Sequence, residues 1–306
     1  MDTRRIGSLT VSVVGVGCNN FGMTIDERRS AEVVHAALDA GINFFDTADM
    51  YGGTKSEEFL GKALKGRRDH AIVATKFGMR VDAGRPGGAT PDYLRQAVEG
   101  SLKRLGTDRI DLYQLHTPDP MVPIAETLGA LDDLVTAGKV REIGCSNFSG
   151  ELLRAAHGAV KPGAARFVSV QNQYSLLHRE PEAEVLPACE ELGFAFLPYF
   201  PLANGLLTGK YEKGVAPPHG TRMTMSWAAA GLTERNFRIV DALGVIAQRN
   251  GRTVLELAMS WLLRYPVVAS VIAGATKPEQ VRANAAAAGW QISNADLAEI
   301  DRVTGT

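Results

Sequence analysis

The 306-residue sequence predicts an α/β fold, a (β/α)8 TIM barrel with an N-terminal β-hairpin and extra C-terminal helices, in one domain spanning residues 1–306. Three observations carry this. Eight short apolar runs, nearly unbroken in hydrophobic character, alternate with amphipathic stretches, as strands of a parallel sheet buried on both faces do. The stretches between them carry helix start and stop signals. No composition break divides the chain, so eight βα units argue one closed barrel.

The elements follow in order. A polar lead, "TRRIGSLTVS", reads as a hairpin capping the barrel. The strands are "VVGVG" (13–17), "INFF" (42–45), "AIVAT" (71–75), "IDLYQL" (110–115), "VREIGC" (140–145), "FVSVQ" (167–171), "FAFLPY" (194–199) and "VASVIAG" (268–274). The helix "DERRSAEVVHAALDAG" opens on an acidic turn and stops at Gly41. "TPDYLRQAVEGSLKRLG" has Thr90 as N-cap, Pro91 at its first position and a stop at Gly106. "VPIAETLGALDDLVTAG" ends the same way at Gly138. Residues 201–232 break the rhythm with a long segment rich in glycine and proline, ahead of helices near 233–250 and 253–264. A connector of that length reads as a functional lid. Its apolar anchors are sparse before Trp227.

Bulk properties exclude several classes. A chain of this length buries roughly 75% of its unfolded surface, so its core needs no staples. The formal net charge is -1, with 33 basic and 34 acidic residues. They are intermixed, which gives no stripe for nucleic acid or an anionic membrane. Cys18, Cys145 and Cys189 are widely spaced, lack metal-ligand spacing and read as reduced thiols. No signal-peptide core and no membrane-length run is found. The expectation is a cytoplasmic protein with a small-molecule partner, no metal, no nucleic acid and no membrane.

In a parallel barrel the chemistry gathers at the C-terminal strand ends. There the sequence places Asp46 and Tyr51, Lys76, His116, Ser146 with Asn147, Gln171 with Asn172, Tyr199, and the "GATK" turn. A free phenol has a pKa of about 10, too high for easy proton exchange near neutrality. Lys76, one strand from Tyr51, is expected to lower it. A shift of about three units would take roughly 4 kcal/mol. Asp46 would anchor the ammonium, and His116 could orient a carbonyl or share its proton. The set suits proton transfer to a carbonyl oxygen. Singly, Asp46 could be a helix cap, Tyr51 packing and His116 a satisfied core residue. An ammonium ending a buried strand is harder to explain that way.

A hydride donor needs a site as well. "GVGCNNFG" (15–22) misses the dinucleotide fingerprint at Asn20 and opens no helix, so a nicotinamide would lie in the barrel mouth. Ser146, Asn147 and Gln171 suit a carboxamide, and Tyr199 suits stacking. "GATKPEQVRAN" opens the last barrel helix, where Thr276 and Lys277 favour a phosphate. Alone, that turn reads equally well as a Thr N-cap followed by Lys and Pro.

"GINFFDTADMYGG", "ATKFG", "DLYQLH", "GKVREIGCSNF", "QNQYSLL", "PYFPLANGLLTGKY" and "VIAGATKPEQVRAN" together resemble the aldo-keto reductases, over nearly the whole chain. The resemblance implies a tetrad of Asp46, Tyr51, Lys76 and His116, with Tyr51 as general acid. It implies NADP(H) across the mouth, with contacts from Pro201, Leu202, Lys210 and Gly274. The 2′-phosphate falls near Thr276 and Lys277, and the adenine near Gln280 and Asn284. Three features depart from the family pattern. Phe200 replaces a small residue, Ala283 stands where relatives carry an acid, and no long tail follows "ADLAEIDRVTGT". Substrate selection then falls to Phe21, Met50, Phe77, Trp227, the loop after His116 and the 201–232 segment.

The expected activity is NADPH-dependent reduction of an aldehyde or ketone, reversible when NADP+ dominates. Two other classes compete. A Schiff-base aldolase would use Lys76 as nucleophile, and a cofactor-sensing regulatory subunit would bind NADPH but turn over slowly.

Overall fold

The computed structural model describes residues 1–79, 88–218 and 220–305. Residues 80–87, 219 and 306 of the predicted 1–306 domain lie outside the described part. A hairpin comes first, β1 (Thr3–Ile6) paired antiparallel with β2 (Leu9–Ser12). Eight parallel strands follow: β3 (Val14–Gly17), β4 (Phe44–Asp46), β5 (Ile72–Phe77), β6 (Ile110–Leu115), β7 (Val140–Ser146), β8 (Phe167–Gln173), β9 (Ala195–Tyr199) and β10 (Val271–Gly274). Their spatial order is β10-β3-β4-β5-β6-β7-β8-β9, chain order wrapped into a ring. The ends meet through a single bridge between Phe196 and Val268. There Phe196 N donates to Val267 O at 2.7 Å, and Ala269 N donates to Phe196 O at 3.0 Å.

Helices cover the outside: α1 (Glu27–Asp39), α2 (Lys55–Ala63), α3 (Pro91–Leu105), α4 (Ile124–Thr136), α5 (Gly150–Gly158) and α6 (Pro181–Leu192). Their caps follow the sequence signals: Asp26 accepts from Arg29 N, Thr90 accepts from Tyr93 N, and Gly106 closes α3 at φ 61°. After β9 come the short α7 (Ser226–Ala229), α8 (Glu234–Arg249) and α9 (Val254–Leu263), then α10 (Pro278–Ala286) and α11 (Asn294–Thr304) after β10. Among the described residues no helix is long and apolar enough to cross a membrane.

Strand alternation divides the core in two. Phe45, Val73, Phe77 and Tyr113 point outward and pack under the helices. Phe44, Ala74, Leu112 and Leu197 point inward, where Ile6, Leu9 and Val11 of the hairpin close the lower end. Arg4 fastens that plug by donating to the carbonyls of Leu263, Tyr265 and Val268 at 2.7, 2.8 and 2.5 Å. With the bottom plugged, the upper strand ends are left to carry chemistry.

Candidate active site

From β4 to β9 the inward phase of each strand ends on a polar side chain, and these converge, while β3 and β10 end on Gly17 and Gly274. Asp46 on β4, Lys76 on β5 and His116 just past β6 are all buried at the mouth. Lys76 Nζ donates to Asp46 Oδ2 at 2.7 Å and to the Thr47 carbonyl at 2.9 Å. The Tyr51 hydroxyl shares the field of this ammonium and helps to hold it charged. The ammonium lies 5.1 Å from the Tyr51 ring centroid. The Tyr51 and His116 rings meet edge to face at 5.8 Å. Tyr51 begins a 3-10 turn, Tyr51–Thr54, in which Gly52 takes φ 58°. A Cβ on Gly52 would come within 2.3 Å of the Phe21 carbonyl oxygen. Only glycine allows the chain to turn that closely beside the site.

The electrostatics differ from expectation in one respect. Burial raises the Tyr51 phenol, and this outweighs the lowering influence of Lys76, so the net shift is upward. Asp46 neutralises much of the ammonium and adds to the rise. The lysine's charge alone would lower the phenol, and desolvation reverses that. Burial pulls Lys76 down, but Asp46 and Tyr51 outweigh it and hold the ammonium protonated. Burial, with Lys76 second, drives His116 down to about 3, and its Nδ1 has no hydrogen-bond partner. The site therefore holds a protonated phenol beside a neutral imidazole, arranged for a group that accepts a proton.

The residues assigned to a carboxamide are knitted to one another. Ser146 Oγ donates to the Gln171 carbonyl at 2.7 Å. Asn147, at φ 62°, donates to the His116 carbonyl at 2.9 Å and accepts from the Tyr199 hydroxyl at 2.9 Å. The Gln171 side chain turns into the barrel, where Nε2 donates to Asp46 Oδ1 at 2.8 Å. Pro201 and Leu202 are buried beneath the mouth, while Lys210, Gly274 and Lys277 are exposed around it. Lys277 is the N-cap of α10, a place the cap reading gave to Thr276. Gln280 folds back on the turn, its Oε1 accepting from Thr276 N at 2.7 Å and from Thr276 Oγ1 at 3.1 Å. Asn284 is buried on α10.

A sequence model described as the Aldo/keto reductase family matches residues 13–304. The chain belongs to this family. Probable aldo-keto reductase 1 of Glycine max is 36% identical over 95% of this chain and 84% of its own length. Aldo-keto reductase YhdN of Bacillus subtilis is 37% identical over 96% and 90%. Among solved structures, a glycerol dehydrogenase from Gluconobacter oxydans superposes with a TM-score of 0.86 at 30% identity, covering 99% of this chain and 94% of that one. An aldo-keto reductase from Bacillus halodurans in its holo form gives 0.83 at 33%, over 99% and 96%. Family membership makes the protein an oxidoreductase.

Two predicted pocket residues of this aldo-keto reductase do not reach the mouth. Phe77 follows inward Lys76, so it points outward, fully buried and stacked on Tyr113 at 4.7 Å. Phe21 is likewise fully buried in the outer core. Met50 is partly exposed next to Tyr51, and Trp227 is exposed, stacked on Phe200 at 5.9 Å. Phe200 reaches that contact from φ 50°, a left-handed conformation rare for an aromatic residue.

Other site residues escaped the sequence reading. Gln114 Nε2 lies 3.3 Å from Asp46 Oδ1. It stands two residues before His116, on the same inward phase, and that spacing could have found it. Arg222 Nη2 bridges Asn19 Oδ1 at 2.8 Å and Asn20 Oδ1 at 2.6 Å, with its guanidinium 5.6 Å from the Phe200 ring. Nothing local in the sequence marks it. Leu206, Leu207, Tyr211, Met223 and Ala228 are buried. The 201–232 segment is thus anchored well before Trp227, contrary to the sparse anchoring expected.

Proposed function

We propose that this aldo-keto reductase reversibly reduces an aldehyde or ketone to the alcohol, with NADPH as hydride donor. The observation that carries the reading is the Asp46–Lys76–Tyr51 chain, with His116 against the phenol ring. The donor set suits an extended anionic dinucleotide. Tyr199 offers a ring, Ser146 and Asn147 offer polar groups, and exposed Lys210 and Lys277 offer positive charge. The positive end of the α10 dipole adds to that charge and favours a phosphate. When bound, a nicotinamide would supply the hydride.

The chain's own residues handle the proton. Tyr51 keeps its proton at neutral pH and delivers it to the oxygen that becomes the alcohol. Lys76 then faces the phenolate and stabilises it, and Asp46, tied to Gln171 and Gln114, keeps the ammonium from swinging away. Neutral His116 can donate a hydrogen bond to a carbonyl oxygen without repelling Lys76. Two facts weigh against Lys76 as a Schiff-base nucleophile. Its pKa is raised by Asp46 and Tyr51, and it donates hydrogen bonds to Asp46 and Thr47.

A panel of aldehydes and ketones followed at the NADPH absorbance tests the reading. Turnover with members of the panel, faster with NADPH than NADH, is expected. Tight NADPH binding without turnover of any member would replace it with a regulatory role.

A further inference from the structure

Behind the mouth, on the helix side of the sheet, lies a buried polar group that the proton transfer does not use. Glu57 on α2 is wholly buried, six residues after Tyr51. Its Oε1 accepts from Thr75 Oγ1 at 2.6 Å, and its Oε2 accepts from Arg104 Nε at 2.6 Å. Thr75 is the residue immediately before Lys76 on β5, pointing outward because Lys76 points inward. Arg104 lies in the last turn of α3 and reaches Ser101 Oγ at 3.2 Å.

One carboxylate therefore ties α2, the helix that follows the turn carrying the phenol, to the strand that carries the ammonium and to α3. Replacing a buried ion pair with well-packed apolar residues is often neutral or stabilising, so stability is a weak reason for this one. What an apolar contact cannot do is fix direction. The turn is also joined to β5 by Thr47 N to Ala74 O at 2.8 Å, Asp49 N to Lys76 O at 3.1 Å and Lys76 Nζ to Thr47 O at 2.9 Å. These hold the chain before Tyr51, while Glu57 holds it after.

We propose that Glu57 is a positioning residue for the proton donor: by binding Thr75 and Arg104 together, it sets the separation between the Tyr51 hydroxyl and the Lys76 ammonium. The proposal rests on reading Tyr51 as the acid. Asp49 belongs to the same group. Burial, with neighbouring Glu57 adding to it, pushes the Asp49 carboxyl up to about 7, and its Oδ1 has no hydrogen-bond partner. An ionised Asp49 would put a second negative charge beside Glu57, so the neutral form suits the grip.

Thr75→Val gives the cleanest test, because it removes one bond to Glu57 and leaves the Arg104 pair in place. In the NADPH-dependent carbonyl assay kcat should fall about 10- to 100-fold, the scale of a slight misplacement of reacting groups. Cofactor affinity should hold within about two-fold, since misplacement acts on the reacting step rather than on binding. The alkaline inflection for alcohol oxidation should move up, because a more distant ammonium stabilises the phenolate less. Thr75→Ser, which restores the hydroxyl, should restore both readouts. In a Tyr51→Phe background, Thr75→Val should change nothing further.

A folded Thr75→Val enzyme with unchanged kcat and pH profile would overturn the proposal, as would a loss that Thr75→Ser fails to restore. An additional loss in the Tyr51→Phe background would also overturn it, by showing that Glu57 acts through another group. A fully active Tyr51→Phe enzyme would remove the acid itself, and the failure would then be traced to the underlying reading.

Discussion

Gln171 donates to one oxygen of Asp46 at 2.8 Å while Lys76 holds the other at 2.7 Å. The carboxylate is clamped from β8 and β5, across the barrel interior, so the ammonium it anchors has a fixed direction. Gln171→Leu would leave that buried oxygen with only the longer bond from Gln114. The unfolding free energy should fall by about 1–3 kcal/mol in denaturant titrations, with kcat reduced alongside. Unchanged stability would mean that Gln114 alone satisfies the carboxylate.

Tyr51→Phe keeps the ring against His116 and removes the transferable proton. Turnover should drop roughly 10²–10⁴-fold with cofactor binding retained, the usual worth of a positioned acid. Lys76→Met should do comparable damage. The double variant should be little worse than either single one, because both act on one proton. Multiplicative losses in steady-state kinetics would give Lys76 a separate task.

His116 lies near 3 in the folded state against an ordinary 6.5, so between those values the unfolded chain binds more protons. Stability must then rise with pH across that window and be lost as pH falls through it, at a slope of about 1.4 kcal/mol per pH unit for one group. Chemical unfolding at pH 4, 5 and 6 should show this slope, and His116→Gln should flatten it. Equal slopes in the two proteins would place the acid sensitivity elsewhere.

Lys277 is exposed at the N-terminus of α10 and free to pair with a 2′-phosphate. Lys277→Ala should weaken NADPH binding, by about 1.5–3 kcal/mol if the pair is partly shielded, and leave NADH binding nearly unchanged. Calorimetric titration with each cofactor decides it. Equal losses would release Lys277 from that assignment.

Arg222 ties the 201–232 segment to Asn19 and Asn20, just past the end of β3. Arg222→Ala should therefore speed limited proteolysis between residues 212 and 218, and NADPH should slow the cut in the wild type. Identical cleavage rates for variant and wild type would show that the buried leucines alone hold the segment.

The sequence made the barrel and the tetrad legible for one physical reason. A strand buried on both faces must be apolar, so a polar residue at its end stands out. Asp46, Lys76 and His116 were visible in that way. What stayed hidden was set by direction rather than identity. Phe77, expected to help select the substrate, adjoins inward Lys76 and so faces the other side of the strand. Gln171, expected to bond a carboxamide, spends its amide on Asp46, and Gln280, expected near an adenine, bends back onto Thr276. The upward shift of Tyr51 depends on how much water the folded mouth excludes, which no spacing of residues encodes.

The single bridge at Phe196 and Val268 is where the ring of strands is thinnest. The chain between β9 and β10 makes its longest excursion there, carrying Phe200, Arg222 and Trp227 over the mouth. Elsewhere a change in loop length would tug on strands bonded along their whole length. At this seam, residues can be gained or lost without shifting any ladder that aligns Asp46, Lys76 and His116. A segment hung at this seam can vary in length while the residues of the proposed proton transfer keep their alignment.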